Sequence, residues 1–136
     1  MPMPELATVA EGDLPGGQHW VLRAGGSQED FYTFLETVHP DGHRDEGGLG
    51  GPVLYPGRLL NTYAGAHDSG LQRLVVRADR QVARLRLTLT TGEQMDLAAV
   101  ATDAGLGVSF FAALLPRTVE MGSLVPLDSG GRPLEP

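Results

Sequence analysis

The clearest pattern in the chain is a strict alternation of apolar and polar residues between Val82 and Val100. Apolar residues occupy every second position on both sides of Thr91-Gly92, namely Ala83, Leu85, Leu87, Leu89, Met95, Leu97 and Ala99. A period of two is typical of a β-strand with one buried face, and the Thr-Gly pair interrupts it as a turn does. The stretch therefore predicts a β-hairpin whose arginine and threonine side chains face away from the core.

Shorter runs of apolar and β-branched residues predict the rest of an all-β fold. The candidate strands are residues 19–24, 30–38, 59–63, 71–78, 108–115 and 119–127. Residues 30–38 could also form a short helix, but their aromatic and β-branched content favours a strand. Residues 108–115 are apolar on both faces, as in a central strand, whereas Gly122 and Pro126 favour an edge position for 119–127. About seven or eight short strands at this spacing predict a β-sandwich.

The length of 136 residues fits a single domain. We expect a flexible N-terminal tail over residues 1–18, one β-sandwich over 19–128 and a short polar tail over 129–136. Residues 39–58 contain six glycines and three prolines and predict a long loop. Because long loops without their own secondary structure are usually functional or mobile, this loop is the first candidate for a binding surface.

Composition narrows the classes of function. The net charge of −7 argues against nucleic-acid and anionic-membrane binding, which need a basic surface. The absence of cysteine excludes thiolate metal sites and cysteine nucleophiles. The chain shows no secretory signal pattern and no apolar run long enough to span a bilayer, so we expect a cytoplasmic protein.

Three segments of the C-terminal half resemble an immunoglobulin-like β module that occurs in uncharacterised actinobacterial proteins. They are the alternating stretch Val82–Gly92, the run Val108–Pro116 that ends in Leu-Pro, and the segment Leu127–Leu134 with its Asp-Ser-Gly-Gly-Arg sequence. The resemblance implies an immunoglobulin-like fold and carries no activity with it.

Four arginines in the middle of the chain form a candidate partner-binding surface: Arg73, Arg77, Arg84 and Arg86. If residues 71–78 paired with residues 82–90, all four would lie on one exposed side of a sheet. Such a face suits an anionic protein surface or self-association, because guanidinium groups bind carboxylates and phosphates. Alternatively, arginine fills outward positions and pairs across strands with Asp96 or Glu93.

The loop also holds a possible metal site made of His39, Asp41, His43 and Asp45. Imidazole nitrogens and carboxylate oxygens are ligands for zinc and other divalent metals, although the spacing matches no standard metal motif. The alternative is a solvated polar loop. The run 67–69, His-Asp-Ser, contains the residue types of a hydrolase triad, but adjacent positions favour a polar turn.

These patterns favour a non-enzymatic binding, scaffold or regulatory domain without a cofactor, which acts through the loop 39–58 and the arginine-bearing face. In this interpretation Tyr55 is the exposed aromatic contact of the loop. Two alternatives remain open. One is a small metal-dependent enzyme that uses the His/Asp cluster, and the other is a carbohydrate- or small-ligand-binding domain that uses Tyr55 and Tyr63.

Overall fold

A computed structural model describes residues 5–66 and 70–135. These residues form antiparallel β-strands and one short 3-10 turn, so the predicted all-β class is confirmed. No helix in these two ranges has the length and apolar character needed to cross a membrane. The contacts group the chain into two compact units, Met1–Val53 and Leu54–Pro136, where the sequence predicted a single β-sandwich.

The first unit is a four-stranded meander in which each strand pairs with the next one along the chain. Its strands are β1 (Ala7–Asp13), β2 (His19–Gly26), β3 (Phe31–Val38) and β4 (Arg44–Leu49). Residues 31–38 therefore form a strand and not a helix, as their composition predicted. Strand β1 lies within the predicted tail 1–18, and β4 lies within the predicted loop 39–58.

Glycines explain why these two strands are hard to recognise in the sequence. A Cβ atom at Gly12 would lie only 2.7 Å from Nε1 of Trp20, so β1 needs glycine where the indole covers it. A Cβ atom at Gly48 would overlap the carbonyl oxygen of Thr33 on the neighbouring strand. Glycine within a strand commonly marks such a close approach. In the sequence, the same glycines resemble loop residues, so they predict a tail and a loop where β1 and β4 lie.

The second unit contains seven strands in two antiparallel sheets, with orders β5-β6-β10-β9 and β11-β7-β8. The strands are β5 (Leu60–Ala66), β6 (Leu71–Asp79), β7 (Arg84–Leu89), β8 (Gln94–Ala98), β9 (Ala101–Asp103), β10 (Val108–Pro116) and β11 (Met121–Leu127). The predicted hairpin is confirmed, because β7 pairs with β8 around the Thr91-Gly92 turn. The interior position of β10 and the edge position of β11 are confirmed as well.

The two sheets of the second unit share one buried core. Alternating apolar residues of β6 and β10 meet those of β7, and the cluster consists of Leu74, Val76, Ala78, Val82, Leu85, Leu87, Leu89, Phe111 and Leu115. Burial of these side chains is the main favourable term for folding, at roughly 1.5–3 kcal/mol for each large aliphatic side chain. The alternation in the sequence thus predicted correctly which face of the β7–β8 hairpin is buried.

The connectivity of this unit differs from that of an immunoglobulin constant domain. Numbered within the unit, its sheets have the orders 1-2-6-5 and 7-3-4. An immunoglobulin constant domain has the strand orders A-B-E-D and C-F-G, which correspond to 1-2-5-4 and 3-6-7. The described chain also has eleven strands in total, so the predicted count of seven or eight was too low.

Candidate functional site

The four predicted surface arginines do not share a sheet face. Strand β6 pairs with β5 and β10, whereas β7 pairs with β8 and β11, so residues 71–78 do not pair with residues 82–90 and the condition for a shared arginine face is not met. Arg73 and Arg77 are 2% and 0% exposed. The physical reason lies in the consecutive apolar residues of β6, which is buried on both faces. Neither arginine belongs to an exposed binding surface.

Arg84 and Arg86 do lie on the outward face of β7, as predicted. Arg86 binds Asp96 on β8 through two contacts, Nε to Oδ1 at 3.0 Å and Nη2 to Oδ2 at 3.3 Å. These hydrogen bonds raise the pKa of Arg86 and lower the pKa of Asp96. The cross-strand pair offered as the alternative is thus confirmed, and it neutralises much of the positive charge of this face.

Three of the four predicted metal ligands converge at the β3–β4 turn. His39 Nε2 lies 2.6 Å from Asp45 Oδ2, and His43 Nε2 lies 3.0 Å from Asp45 Oδ1. Asp41 has a separate role, because its carboxylate accepts a 2.8 Å hydrogen bond from the His43 amide within the turn. Within the described ranges no group of three or more histidine and carboxylate side chains has the arrangement of a metal site. The metal site stays a prediction.

The remaining candidates are quickly located. The triad-like run 67–69 lies outside the described residues. Tyr63 is half-buried, and its ring packs so closely over Gly65 that a Cβ atom there would lie 2.8 Å from Tyr63 Cζ. Tyr55, by contrast, is 52% exposed, and no other large hydrophobic side chain in the described ranges is exposed. Its predicted exposure is confirmed.

A tight turn presents Tyr55 at the surface. The Arg58 amide donates a 3.0 Å hydrogen bond to the Tyr55 carbonyl, with Pro56 and Gly57 between them. Proline at the second position and glycine with a φ of +76° at the third are the features of a type II β-turn. The Tyr-Pro-Gly-Arg sequence therefore holds the Tyr55 and Arg58 side chains at the two ends of one preformed turn.

The turn leads into an open groove beside the start of β5. Its volume is about 630 Å³, and its walls are Tyr55, Arg58, Leu60, Asn61 and Thr62. In the β5–β6 register, Asn61 lies opposite the buried Arg77. Burial lowers the pKa of the Arg77 guanidinium to about 10, and Tyr55 acts in the opposite direction. Arg77 is thus charged at neutral pH and lies within electrostatic range of Tyr55.

Strand β5 is the outermost strand of its sheet. The Asp79 amide donates to the Leu59 carbonyl at 2.8 Å, which identifies this pair as hydrogen-bonded in the β5–β6 ladder. Because hydrogen-bonded pairs alternate in an antiparallel ladder, the N–H and C=O groups of Leu60, Thr62 and Ala64 point away from β6. These groups line the outer edge of the sheet next to the groove.

The other edge strands in the described ranges are protected against further pairing. Strands β1 and β11 contain register irregularities, and β11 also contains Pro126. Strand β4 begins with three charged residues, β8 carries Asp96, and β9 is only three residues long. Charges, proline, irregular register and short length all discourage the addition of another strand. In contrast, β5 has seven residues without charge, proline or irregular register.

Sequence reasoning identified Tyr55 but missed Arg58 and the edge of β5. The Pro56-Gly57 pair is a turn signal from which the position of Arg58 beside Tyr55 could have been found. Comparisons of the chain with protein-family models, with curated proteins and with solved structures find no match. A function for this chain is therefore inferred from the geometry of β5 and its groove.

Proposed function

We propose that this chain is a non-enzymatic binding domain that adds an extended peptide segment of a partner protein to β5. The observation that carries the proposal is the regular, uncharged outer edge of β5, which differs from every other edge of the described sheets. Strand addition is a common mode of peptide recognition, in which main-chain hydrogen bonds supply affinity and nearby side-chain sites supply specificity.

The geometry supports this mode in two ways. The outward N–H and C=O groups of Leu60, Thr62 and Ala64 match the hydrogen-bonding groups of an added strand. The adjoining groove accepts side chains of that strand near Tyr55 and Arg58. A single added strand buries less surface than a standard protein–protein interface, so we expect a weak or transient complex with a Kd on the order of micromolar. Of the predicted binding loop 39–58, only its end takes part, and the predicted cytoplasmic location stays a prediction.

The test uses a displayed library of random peptides, selected against the full chain. Thr62→Pro removes an outward N–H without removing a hydrogen bond to β6, and Thr62→Val is the matched control that keeps the backbone donor. We expect selected peptides to bind the wild type and Thr62→Val, and to lose at least tenfold in affinity for Thr62→Pro (about one main-chain hydrogen bond and the adjacent pairing). Ala64→Lys places a charge on the same edge and should weaken binding similarly.

Hydrogen exchange gives a readout that does not depend on the variants. Peptide binding should slow exchange of the Leu60, Thr62 and Ala64 amides, while the amides that bond to β6 change less. The proposal fails if no peptide is enriched, if binding survives both Thr62→Pro and Ala64→Lys, or if protection appears elsewhere on the chain.

Metal binding is the second candidate function, and it rests on the convergence of His39 and His43 on the buried Asp45 carboxylate. Nitrogen and oxygen donors of this kind suit zinc. If zinc binds there, added zinc chloride raises the thermal midpoint of the wild type, because a ligand that binds only the folded state stabilises it. The shift should be lost in His43→Ala. An unchanged midpoint of the wild type would remove this candidate.

A further inference from the structure

We infer that the peptide bound at β5 carries a carboxylate side chain, which pairs with Arg58 and lies against the ring of Tyr55. This inference rests on the proposed strand addition and specifies the chemistry of its partner. The proposed function concerns the main-chain hydrogen bonds between the peptide and β5. The inference concerns the side-chain contacts of the peptide in the groove.

The state of Arg58 is the first observation. Its side chain is exposed, and within the ranges 5–66 and 70–135 it makes no ion pair or hydrogen bond. Arg44 and Arg86 differ from Arg58 in this respect, because Arg44 binds Glu36 at 2.9 Å and Arg86 binds Asp96 at 3.0 Å. Arg58 therefore offers its planar set of donors at the wall of the groove, in the form that binds a carboxylate through two hydrogen bonds.

The turn is the second observation. Pro56 and Gly57 hold Tyr55 and Arg58 at its two ends before any ligand arrives. A preformed site loses less conformational entropy on binding than a flexible one. Tyr55 adds an exposed ring against which the aliphatic part of an acidic side chain can pack.

The charge of the groove is the third observation. Among the described residues that line the groove, Arg58 is the only charged one. The exposed charge of Arg58 is opposite in sign to the chain's net charge of −7. A single exposed cation matches a single carboxylate, whereas a phosphorylated side chain with nearly two negative charges would require a second exposed cation.

The experiment replaces each acidic residue of a selected peptide in turn by its amide, Asp by Asn or Glu by Gln. We expect one replacement to weaken binding to the wild type about three- to tenfold, the range expected for an exposed charge pair with two hydrogen bonds. Arg58→Gln should cause the same loss for the acidic peptide and none for its amide version. Arg84→Gln, which changes the net charge equally on the outward face of β7 in the other sheet, should have no effect.

Charge exchange completes the test. Arg58→Glu should bind the acidic peptide poorly and recover affinity for a version with arginine at the critical position. If acidic and amide peptides bind alike while Thr62→Pro still weakens binding at least tenfold, the carboxylate inference is wrong and strand addition stands. If a phosphoserine version binds more tightly than the acidic peptide in an Arg58-dependent way, the ligand is a phosphorylated side chain and the inference is also wrong. Loss of Thr62→Pro sensitivity would instead overturn the proposed function.

Discussion

Strands β6 and β7 both carry two arginines among apolar residues, yet they place them in opposite environments. Arg73 and Arg77 of β6 are buried, whereas Arg84 and Arg86 of β7 lie on an outward face. Both strands occupy interior positions in their sheets, so pairing does not explain the difference. The difference arises because β6 is buried on both faces, whereas β7 is buried on its leucine face only.

The sequences of the two strands contain this information in their apolar positions. Residues 74–76 of β6 are Leu-Val-Val, so apolar side chains point to both faces and both are buried. In β7, leucine alternates strictly with arginine and threonine, and one face is polar throughout. An arginine beside consecutive apolar residues is therefore buried with its strand, while an arginine in strict alternation is exposed.

The largest expected effect is that of Arg77→Ala. Removal of a fully buried long side chain leaves a cavity and deprives the neighbouring groups of their interactions, so we expect the free energy of unfolding to fall by about 3–5 kcal/mol. Urea unfolding followed by circular dichroism measures it. The matched variant Arg84→Ala should change the unfolding midpoint little. Equal effects of the two variants would contradict the contrast between β6 and β7.

Arg77→Met separates packing from charge at the same position. Methionine keeps most of the buried volume but lacks the guanidinium, so we expect a loss of about 1–3 kcal/mol, clearly smaller than for Arg77→Ala. The same urea titration applies. If both variants lose the same amount, the polar interactions of Arg77 dominate and its packing contributes nothing.

On the outward face of β7, Arg86→Gln should lower the free energy of unfolding by less than about one fifth of the Arg77→Ala loss, because exposed ion pairs are screened by solvent. The loss should also shrink in 1 M sodium chloride, where surface charges are screened more strongly. A thermal melt at low and high salt tests both expectations. A large loss that does not respond to salt would show that the β7 pair behaves like a buried one.

The Arg86–Asp96 pair should stabilise the folded state at neutral pH and lose this effect in acid. Hydrogen bonds from Arg86 lower the pKa of Asp96 below its usual value of 3.8. The pair therefore stabilises the folded state above that pH, and its contribution disappears as the pH falls through the lowered pKa. The difference in thermal midpoint between the wild type and Asp96→Asn should be constant from pH 5 to 8 and decrease steadily as the pH falls below 3.8. A difference that persists in acid would contradict this assignment.

The contacts of His19 with two carboxylates in the first unit should show the opposite dependence of stability on pH. His19 contacts Asp13 at 2.9 Å and Glu11 at 3.0 Å, and the hydrogen bond to Asp13 is the main cause of its raised pKa. Its contribution is complete below the usual value of 6.5 and is lost as the pH rises through the raised pKa. His19→Gln should therefore increase amide exchange in β1 at pH 5.5 but change it little at pH 9. An equal effect at both pH values would show that His19 acts through its shape and not through its charge.

The sequence predicts the fold best where one strict pattern dominates. The β7–β8 hairpin and its buried face follow directly from the alternation around Thr91-Gly92. Strands β1 and β4 could not be recognised, because Gly12 and Gly48 are there for close packing and resemble loop glycines in the sequence. The pairing of β6 with β10 depends on contacts between residues far apart in the chain, which no local pattern specifies.

The candidate site was predictable only in part. The exposure of Tyr55 was predicted from its position in a stretch rich in glycine and proline, and the Pro56-Gly57 pair that follows it indicates the turn. That β5 is an outer strand depends on the order of all strands in its sheet, which the sequence of β5 itself does not contain. The sequence offered His39, Asp41, His43 and Asp45 together as a possible metal site, whereas in the structure His39 and His43 contact Asp45 and the Asp41 carboxylate binds the His43 amide.

The unprotected edge of β5 also has a consequence for handling the protein. A regular strand without charge or proline can template association between copies of the same chain, as edge strands do in aggregates. The net charge of −7 keeps copies apart by mutual repulsion in neutral solution. Near the isoelectric point or at high salt that repulsion is lost, and we expect precipitation to begin at β5. Ala64→Lys should then improve solubility under those conditions while it weakens the binding of a partner strand.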